Sequence, residues 1–256
     1  MEPDDRREQI MTRLRAEGRV TVNDLSETLG ISKETIRRDL SGLEALRRLR
    51  KVHGGAVLPE PGIYEFHPES PFQARLEQNS EAKRTMARAA AGLLKAGDVI
   101  FVDTGTTTVV FAEELSRLAG LTVITNSGLV AGLAARGTDA RVVHIGGDFR
   151  VDGAETLGNT AIEQIGRYQA SHAFITVAGL TELGGQDYDS AEADVARAMI
   201  GRSQRVIVLA DSAKFFRGAP YTAVDMARID VLVTDRMPEG SLLEALARAG
   251  TRIIAE

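Results

Sequence analysis

Cysteine is absent from this chain, and histidine occurs only 4 times in 256 residues. Without cysteine there can be no disulfide, no thiolate zinc site and no cysteine nucleophile. So few histidines also argue against a histidine-rich metal centre. Long apolar runs are missing too: none approaches the roughly 20 residues that cross a bilayer. The N-terminus, Met1-Glu2-Pro3-Asp4-Asp5-Arg6, is charged and lacks the apolar stretch of a secretory signal. These absences point to a soluble, cytoplasmic protein with no metal, no cofactor and no membrane partner. What is present suits a globular chain, with 43% hydrophobic residues and enough length for a small domain plus a medium one.

An excess of positive charge is lacking overall, since the formal net charge is −5, but the charge is unevenly placed. Residues 1–58 hold 12 Lys/Arg against 10 Asp/Glu, and within 32–58 the count is 7 against 3. A small basic module is thus carried on an acidic body, as expected for local binding to DNA.

The basic module centres on Gly30-Ile31-Ser32-Lys33-Glu34-Thr35-Ile36-Arg37-Arg38-Asp39-Leu40. Ser32 is a good N-cap, and Ile36, Leu40 and Leu43 recur on one face of the helix it begins. Lys33, Thr35, Arg37, Arg38 and Ser41 fall away from that face, near the N-terminus, where a helix in a DNA major groove makes its contacts. Taken alone, an amphipathic helix with solvated charges is the plainer reading. Its surroundings favour the other one. A first helix over 4–16, inward at Ile10 and Leu14, ends at Gly18. A short edge strand at 20–22 follows, then a helix over 24–29 capped by Asn23 and ended by Gly30. Helix, glycine-containing turn and basic helix is helix-turn-helix spacing. Beyond it, residues 47–57 alternate apolar and basic residues up to Gly54-Gly55, which reads as a wing. Arg50, Lys51 and His53 would lie there along a phosphate backbone, although His53 could equally be a core residue.

Thr35-Ile36-Arg37-Arg38-Asp39-Leu40, Leu43-Glu44 and Val52-His53-Gly54-Gly55-Ala56 strongly resemble the N-terminal signature of the DeoR/GlpR family of bacterial transcriptional regulators. That family usually has glycine where this chain has Arg47. At a left-handed helix cap a non-glycine residue costs about 1 kcal/mol, so the turn from helix to wing is expected to differ.

Pro59-Glu60-Pro61-Gly62, Pro68 and Pro71 mark a stiff linker, assigned to 59–75 between a DNA-binding domain over 1–58 and a second domain over 76–256. After Ser80, a candidate N-cap, a helix is expected over 81–95. From Asp98 the pattern becomes β/α. Apolar runs at 99–102, 121–124, 142–145, 173–177, 206–209 and 231–233 read as buried parallel strands. Helices are expected near 109–118, 129–135, 162–168, 191–200 and 242–249, with a loop-rich stretch at 146–159 that includes short extra strands. The second domain is therefore an open α/β sheet, whose ligands collect at the C-terminal ends of the strands.

Those ends carry candidate ligand groups. Asp103-Thr104-Gly105-Thr106-Thr107-Thr108 runs from strand into helix and suits an anion, best a phosphate. Asn126 and Ser127, Gly147, Gly179 and Lys214 stand at four further strand ends, so that five ends could converge on one crevice. Lys214 is a natural counter-charge for phosphate, and Asp103, Asp152, Asp187 and Glu192 could accept from sugar hydroxyls. Each of these residues taken singly is as well explained as a cap, a loop acid or a surface lysine.

The succession Asp-x-Gly-Thr-Thr, Thr-Asn, Gly-Gly and Asp-x-x-Lys-Phe resembles the sensor domain of the same family, so the resemblance runs from about residue 6 to residue 235. It implies a fold akin to ribose-5-phosphate isomerase that binds a phosphorylated sugar or polyol. Gly105, Thr106 and Thr107 would hold the phosphate, and Asp103, Asn126, Glu192 and Lys214 would face the rest of the ligand. Asp152-Gly153-Ala154-Glu155 and Gln186-Asp187-Tyr188 are where ligand choice would reside. The expected function is a transcriptional repressor of a sugar or polyol operon, working on double-stranded operator DNA as a homodimer or homotetramer. The alternative is an isomerase-like enzyme with an appended DNA-binding module, using Asp103, Glu192 and Lys214 as acid–base groups. Fold analogy alone is weak support for catalysis.

Overall fold

The computed structural model describes residues 3–45, 49–57 and 71–256. Arg47, and most of the stretch assigned to the linker, lie outside the described residues. The chain forms two compact units, Met1–Tyr64 and Glu65–Glu256.

The first unit has three helices, α1 (Pro3–Glu17), α2 (Val22–Leu29) and α3 (Lys33–Ala45), and three strands, β1 (Arg19–Thr21), β2 (Arg50–Val52) and β3 (Gly55–Val57). Ile10, Leu14, Leu25, Ile36, Leu40 and Leu43 are all buried in one core, as the helical spacing predicts. The cap of α2 differs from the sequence expectation. Thr21, in extended backbone, accepts from the amide of Asp24 at 3.1 Å, which places Asn23 inside the helix. The strands pair antiparallel in the order β1-β3-β2, with His53 and Gly54 at the turn. Gly55 belongs to β3 rather than to the turn. A Cβ there would stand 2.0 Å from the carbonyl oxygen of Val20, so only glycine lets β3 lie against β1.

The second unit opens with α4 (Phe72–Glu77) and α5 (Ser80–Ala91). Both depart from the expected pattern. The last residues assigned to the linker are helical, because Pro71 stands just before the first turn, where its missing N–H costs nothing. Ser80 lies inside α5, and Asn79, at φ 52°, makes the N-terminal turn instead.

The α/β body then runs β4 (Val99–Val102), α6 (Thr106–Leu115), β5 (Thr122–Thr125), α7 (Gly128–Ala134), β6 (Arg141–His144), β7 (Asp148–Arg150), β8 (Glu155–Leu157), α8 (Asn159–Ile165) and β9 (Ala170–Thr176). It continues with β10 (Gly179–Thr181), β11 (Gly184–Asp187), α9 (Ser190–Gly201), β12 (Ser203–Leu209), β13 (Tyr221–Asp225), β14 (Val231–Thr234), α10 (Gly240–Ala249) and β15 (Arg252–Ala255). Seven strands make a parallel sheet in the order β15-β14-β12-β9-β4-β5-β6. Successive side chains of its central strands enter opposite cores. Phe101, Ile175 and Val208 pack with α8, α9 and α10, whereas Ile100, Phe174 and Ile207 pack with α5, α6 and α7. Burial on both faces explains the unbroken apolar runs of the sequence.

Three features were not anticipated. β15 adds an edge strand, β10, β11 and β13 form a separate antiparallel sheet, and α6 begins at Thr106. Residues 106–108 therefore form the first turn of a helix rather than the loop before it. The strand order reverses at β4. β5 and β6 lie to one side of it, while β9, β12, β14 and β15 lie to the other. The boundary between β4 and β9 is a topological switch point, where the crevice of such a sheet opens.

Candidate functional site

A pocket of about 90 Å³ lies at that switch point. Its floor comes from the loop between β4 and α6, where Gly105 has φ 154° and a Cβ would meet the Thr176 hydroxyl at 2.4 Å. Any other residue would have to displace the Thr176 side chain, at a backbone angle that L residues rarely adopt. Thr106 and Thr107 follow in the first turn of α6, whose leading amides have no partner within the helix. The Lys214 side chain, on the short helical turn after β12, also lines this end. Amides, hydroxyls and a cation at the positive end of a helix are the groups that an anion site requires.

The opposite wall is acidic and built around one guanidinium. Arg150, on β7, reaches Asp189 at 2.9 Å, Glu192 at 3.0 Å and Glu155 at 3.6 Å. Asp189 is also the N-cap of α9, accepting from the amides of Ala191 and Glu192, and this cap sets Glu192 at the pocket. Burial raises the pKa of Glu192 to about 9, helped by Glu155, Asp187 and Asp189 and opposed by Arg150. Burial likewise raises Glu155, against the pull of Arg150. Glu155 is 2% exposed, and its Oε2 has no hydrogen-bond partner within the protein. At neutral pH this wall therefore presents a protonated Glu192 beside the Arg150 cation and the Asp189 carboxylate, a surface that both donates to and accepts from hydroxyl groups.

Seven of the sequence-selected residues line this pocket: Gly105, Thr106, Thr107, Asp152, Asp187, Glu192 and Lys214. Six others do not, and each has a structural role. Asp103 is 6% exposed and accepts from the Thr176 amide at 2.8 Å, tying the end of β4 to β9. Its pKa is raised well above the usual range by burial, with Asp187 and Glu192 adding to the effect and the Thr176 amide opposing it. Thr108 donates back to the Gly105 carbonyl at 2.9 Å. Asn126 donates to the Thr156 carbonyl at 3.1 Å, and Ser127 caps α7. Gly147 and Gly179 are glycines for close backbone approach, since a Cβ would stand 2.4 Å from Leu157 O and 1.8 Å from Arg217 O respectively. The expected convergence of five strand ends is thus corrected to three. β4, β9 and β12 are adjacent in the sheet, whereas β5 and β6 lie towards its edge and meet the β7–β8 hairpin instead.

The hairpin supplies Arg150, from the stretch expected to be loop-rich, and Asp152, Gly153 and Glu155, from the stretch expected to govern ligand choice. α4 supplies Phe72 and Arg75 from what read as linker. The spacing of Phe72 and Leu76 at i and i+4 was a helical signal, outweighed by the surrounding prolines.

In the first unit, Ser32 accepts from the amide of Thr35 at 3.2 Å and so caps α3, and Thr35 is half-buried against it. Lys33, Arg37 and Arg38 are exposed on α3, and Arg50, Lys51 and His53 on the wing. Exposure removes the core reading of His53. Lys51 ties wing to helix, its amide donating to Glu44 at 2.8 Å and its Nζ to Ser41 at 3.0 Å.

A family described as "DeoR-like helix-turn-helix domain" matches residues 6–61, and one described as "DeoR C terminal sensor domain" matches residues 78–236. The chain belongs to the DeoR family. Among DeoR-family relatives, the putative aga operon transcriptional repressor of Escherichia coli O157:H7 is 32% identical over 98% of this chain and 93% of its own length. The HTH-type transcriptional repressor GlcR of Bacillus subtilis is 30% identical over 99% of this chain and 96% of its own. The glycerol-3-phosphate regulon repressor of Escherichia coli K12 is 28% identical over 96% of both chains. A solved D-ribose-5-phosphate isomerase aligns with 53% of this chain and 54% of its own, at 18% identity and TM-score 0.40. The second unit is an α/β fold, the first a helix-turn-helix, and no helix among the described residues is long and apolar enough to cross a membrane.

Proposed function

We propose that this protein represses transcription of a sugar or polyol operon, and that a phosphorylated sugar or polyol bound in the α/β pocket controls its affinity for operator DNA. The observation that carries the reading is the polarity of the pocket, with amides, threonines and Lys214 at one end and the Arg150–carboxyl wall at the other. A phosphate ester of a polyhydroxy compound has the same polarity. Its phosphate would rest on the amides of 105–107 and Lys214, and its hydroxyls on Asp187, Glu192, Glu155 and Arg150. Several relatives are repressors, one of them of a glycerol-3-phosphate regulon, which supports the ligand class.

Output lies with α3 and the wing. Ser32, Lys33, Thr35, Arg37 and Arg38 would enter a major groove, while Arg50, Lys51 and His53 would follow the phosphate backbone. One such helix offers too little contact for a specific site, so a symmetric oligomer reading repeated half-sites is part of the proposal. Ligand binding would favour the arrangement that fits DNA less well, and so release the operator. The isomerase-like alternative draws no support from the pocket, because Asp103, one of its three acid–base groups, is buried outside the pocket lining and bonded to Thr176.

A thermal-shift screen against phosphorylated sugars and polyols tests the ligand class, since a ligand of the folded state raises the melting temperature. Each hit is then titrated into a complex of the protein with DNA from upstream of its own gene. Failure of every phosphate ester to stabilise the protein would overturn the ligand class. A stabilising ester that leaves DNA affinity unchanged would overturn the control.

A further inference from the structure

The first described element after the stretch joining the two units in sequence is α4, and two of its side chains line the pocket. Phe72 is 5% exposed and belongs to the same core as Met86 and Phe111, which seats the helix beside α5 and α6. The Arg75 guanidinium stands over the Phe72 ring, 5.7 Å from its centroid, so one seated side chain orients the other. From α5, the ammonium of Lys83, a residue only 4% exposed, donates to the backbone carbonyl of Arg75. Burial lowers the pKa of Lys83 to about 8, with Asp211 opposing and Lys214 and Arg75 lowering it further. Arg75 and Lys214 therefore both act on Lys83, and both line the pocket together with Gly105, Thr106 and Thr107 at the start of α6. A dianion in the pocket would be attracted by both the Arg75 and the Lys214 cations.

We propose that Arg75 is a further anion-contacting residue of the pocket, and that through it a bound phosphate group takes hold of α4, the segment continuous with the DNA-binding unit. The inference rests on the function proposed above. Lys214 and α6 belong to the body of the sheet, whereas Arg75 is carried by the chain that leads out of it. A phosphate touching both binds best when α4 is docked, and that difference in affinity is what a ligand needs in order to shift an equilibrium.

The test is amide hydrogen exchange on the full-length protein, with and without saturating inorganic phosphate, matched in ionic strength with sodium chloride. Phosphate is expected to slow exchange in α4 at least about five-fold in the wild type. Arg75→Gln should lose that slowing while keeping the slowing at Thr106–Thr108, and Arg75→Lys should recover part of it. Because the Lys83 contact is to the backbone of residue 75, it survives both substitutions. Equal slowing of α4 in wild type and Arg75→Gln would overturn the proposal, as would slowing at α6 with none at α4 in the wild type. Phosphate that slows neither helix in the wild type would remove the phosphate site itself, and this proposal with it.

Discussion

Asp39 of α3 accepts from Arg6 of α1 through both carboxylate oxygens, at 2.5 and 3.2 Å, with only 4% and 10% of the two side chains exposed. Arg7 adds a second guanidinium at 3.5 Å. Asp39 directly follows Arg37 and Arg38 in sequence, so the pair holds the helix by its inner face while the two arginines face outward. Removing one partner of a buried ion pair leaves an uncompensated charge and costs about 3–5 kcal/mol. We predict that Asp39→Ala destabilises the first unit by that order and abolishes DNA binding, while ligand stabilisation of the second unit is retained. Urea unfolding followed by circular dichroism and a DNA titration read both effects. Wild-type DNA affinity in the variant would refute this role for the pair.

Arg38 and Arg50 separate reading from holding. Arg38 is exposed on α3 and Arg50 on the wing. Loss of a base contact costs about 1–3 kcal/mol and relaxes sequence preference at one position, whereas loss of a phosphate contact weakens all sequences alike. Arg38→Ala should therefore lower affinity for the operator by about ten-fold or more and compress its margin over random DNA. Arg50→Ala should leave that margin intact and reduce the salt slope of binding by about 0.9. Fluorescence anisotropy at several salt concentrations distinguishes them. An unchanged margin in Arg38→Ala would show that α3 is not the reading helix.

Much of this arrangement was legible in the sequence, and the unread parts have physical reasons. Periodicity located α3 and the parallel strands because burial on one or both faces leaves a repeating apolar trace. Gly105 and Lys214 were found because a tight turn into a helix and a cation at a strand end are local signals. Asp103, Asn126 and Ser127 were equally visible as strand-end residues, but a strand end does not reveal whether its side chain faces a pocket or stitches two backbones. That depends on sheet order, and the β5 and β6 ends turn out to serve the β7–β8 hairpin. Arg150 was hidden for the converse reason. Its chemistry arises from a partner 42 residues away, Glu192, and no local pattern encodes a pairing at that separation.

The anion end of the pocket should be separable from the DNA-binding function. We predict that Thr107→Ala combined with Lys214→Ala leaves operator affinity near wild type but abolishes both the thermal shift and the DNA release produced by the effective phosphate ester. Lys214 removes a charge and Thr107 a hydroxyl beside the α6 amides, so the pair removes most of the side-chain contribution at that end. A double variant still released by the same ester at the same concentration would show that the phosphate binds elsewhere.

The carboxyl wall makes a signed prediction about pH. Glu192 releases its proton near 4.5 when unperturbed and near 9 in the folded protein, chiefly because of burial. Between those values the folded state holds a proton that the unfolded state has lost, so the contribution of Glu192 to stability is full below about 4.5 and falls as pH rises towards 9. Glu155 and Asp103 are displaced in the same direction and add to the fall. Lys83 acts oppositely, but only above about 8, where the folded state has lost a proton that the unfolded state keeps. Between about pH 5 and 8 Glu155 and Asp103 add to the fall and His172, whose pKa burial lowers, opposes it, so the Glu192 contribution is read as the difference between wild type and variant. In that window, Glu192→Gln should flatten the decline of the second unit's stability with pH, reducing the protons linked to its unfolding by at most about one. Urea unfolding of wild type and variant at matched pH values measures the difference. Curves that stay parallel across the window would mean that Glu192 is ionised in the folded protein, and that the wall meets its ligand as a carboxylate rather than as a hydrogen-bond donor.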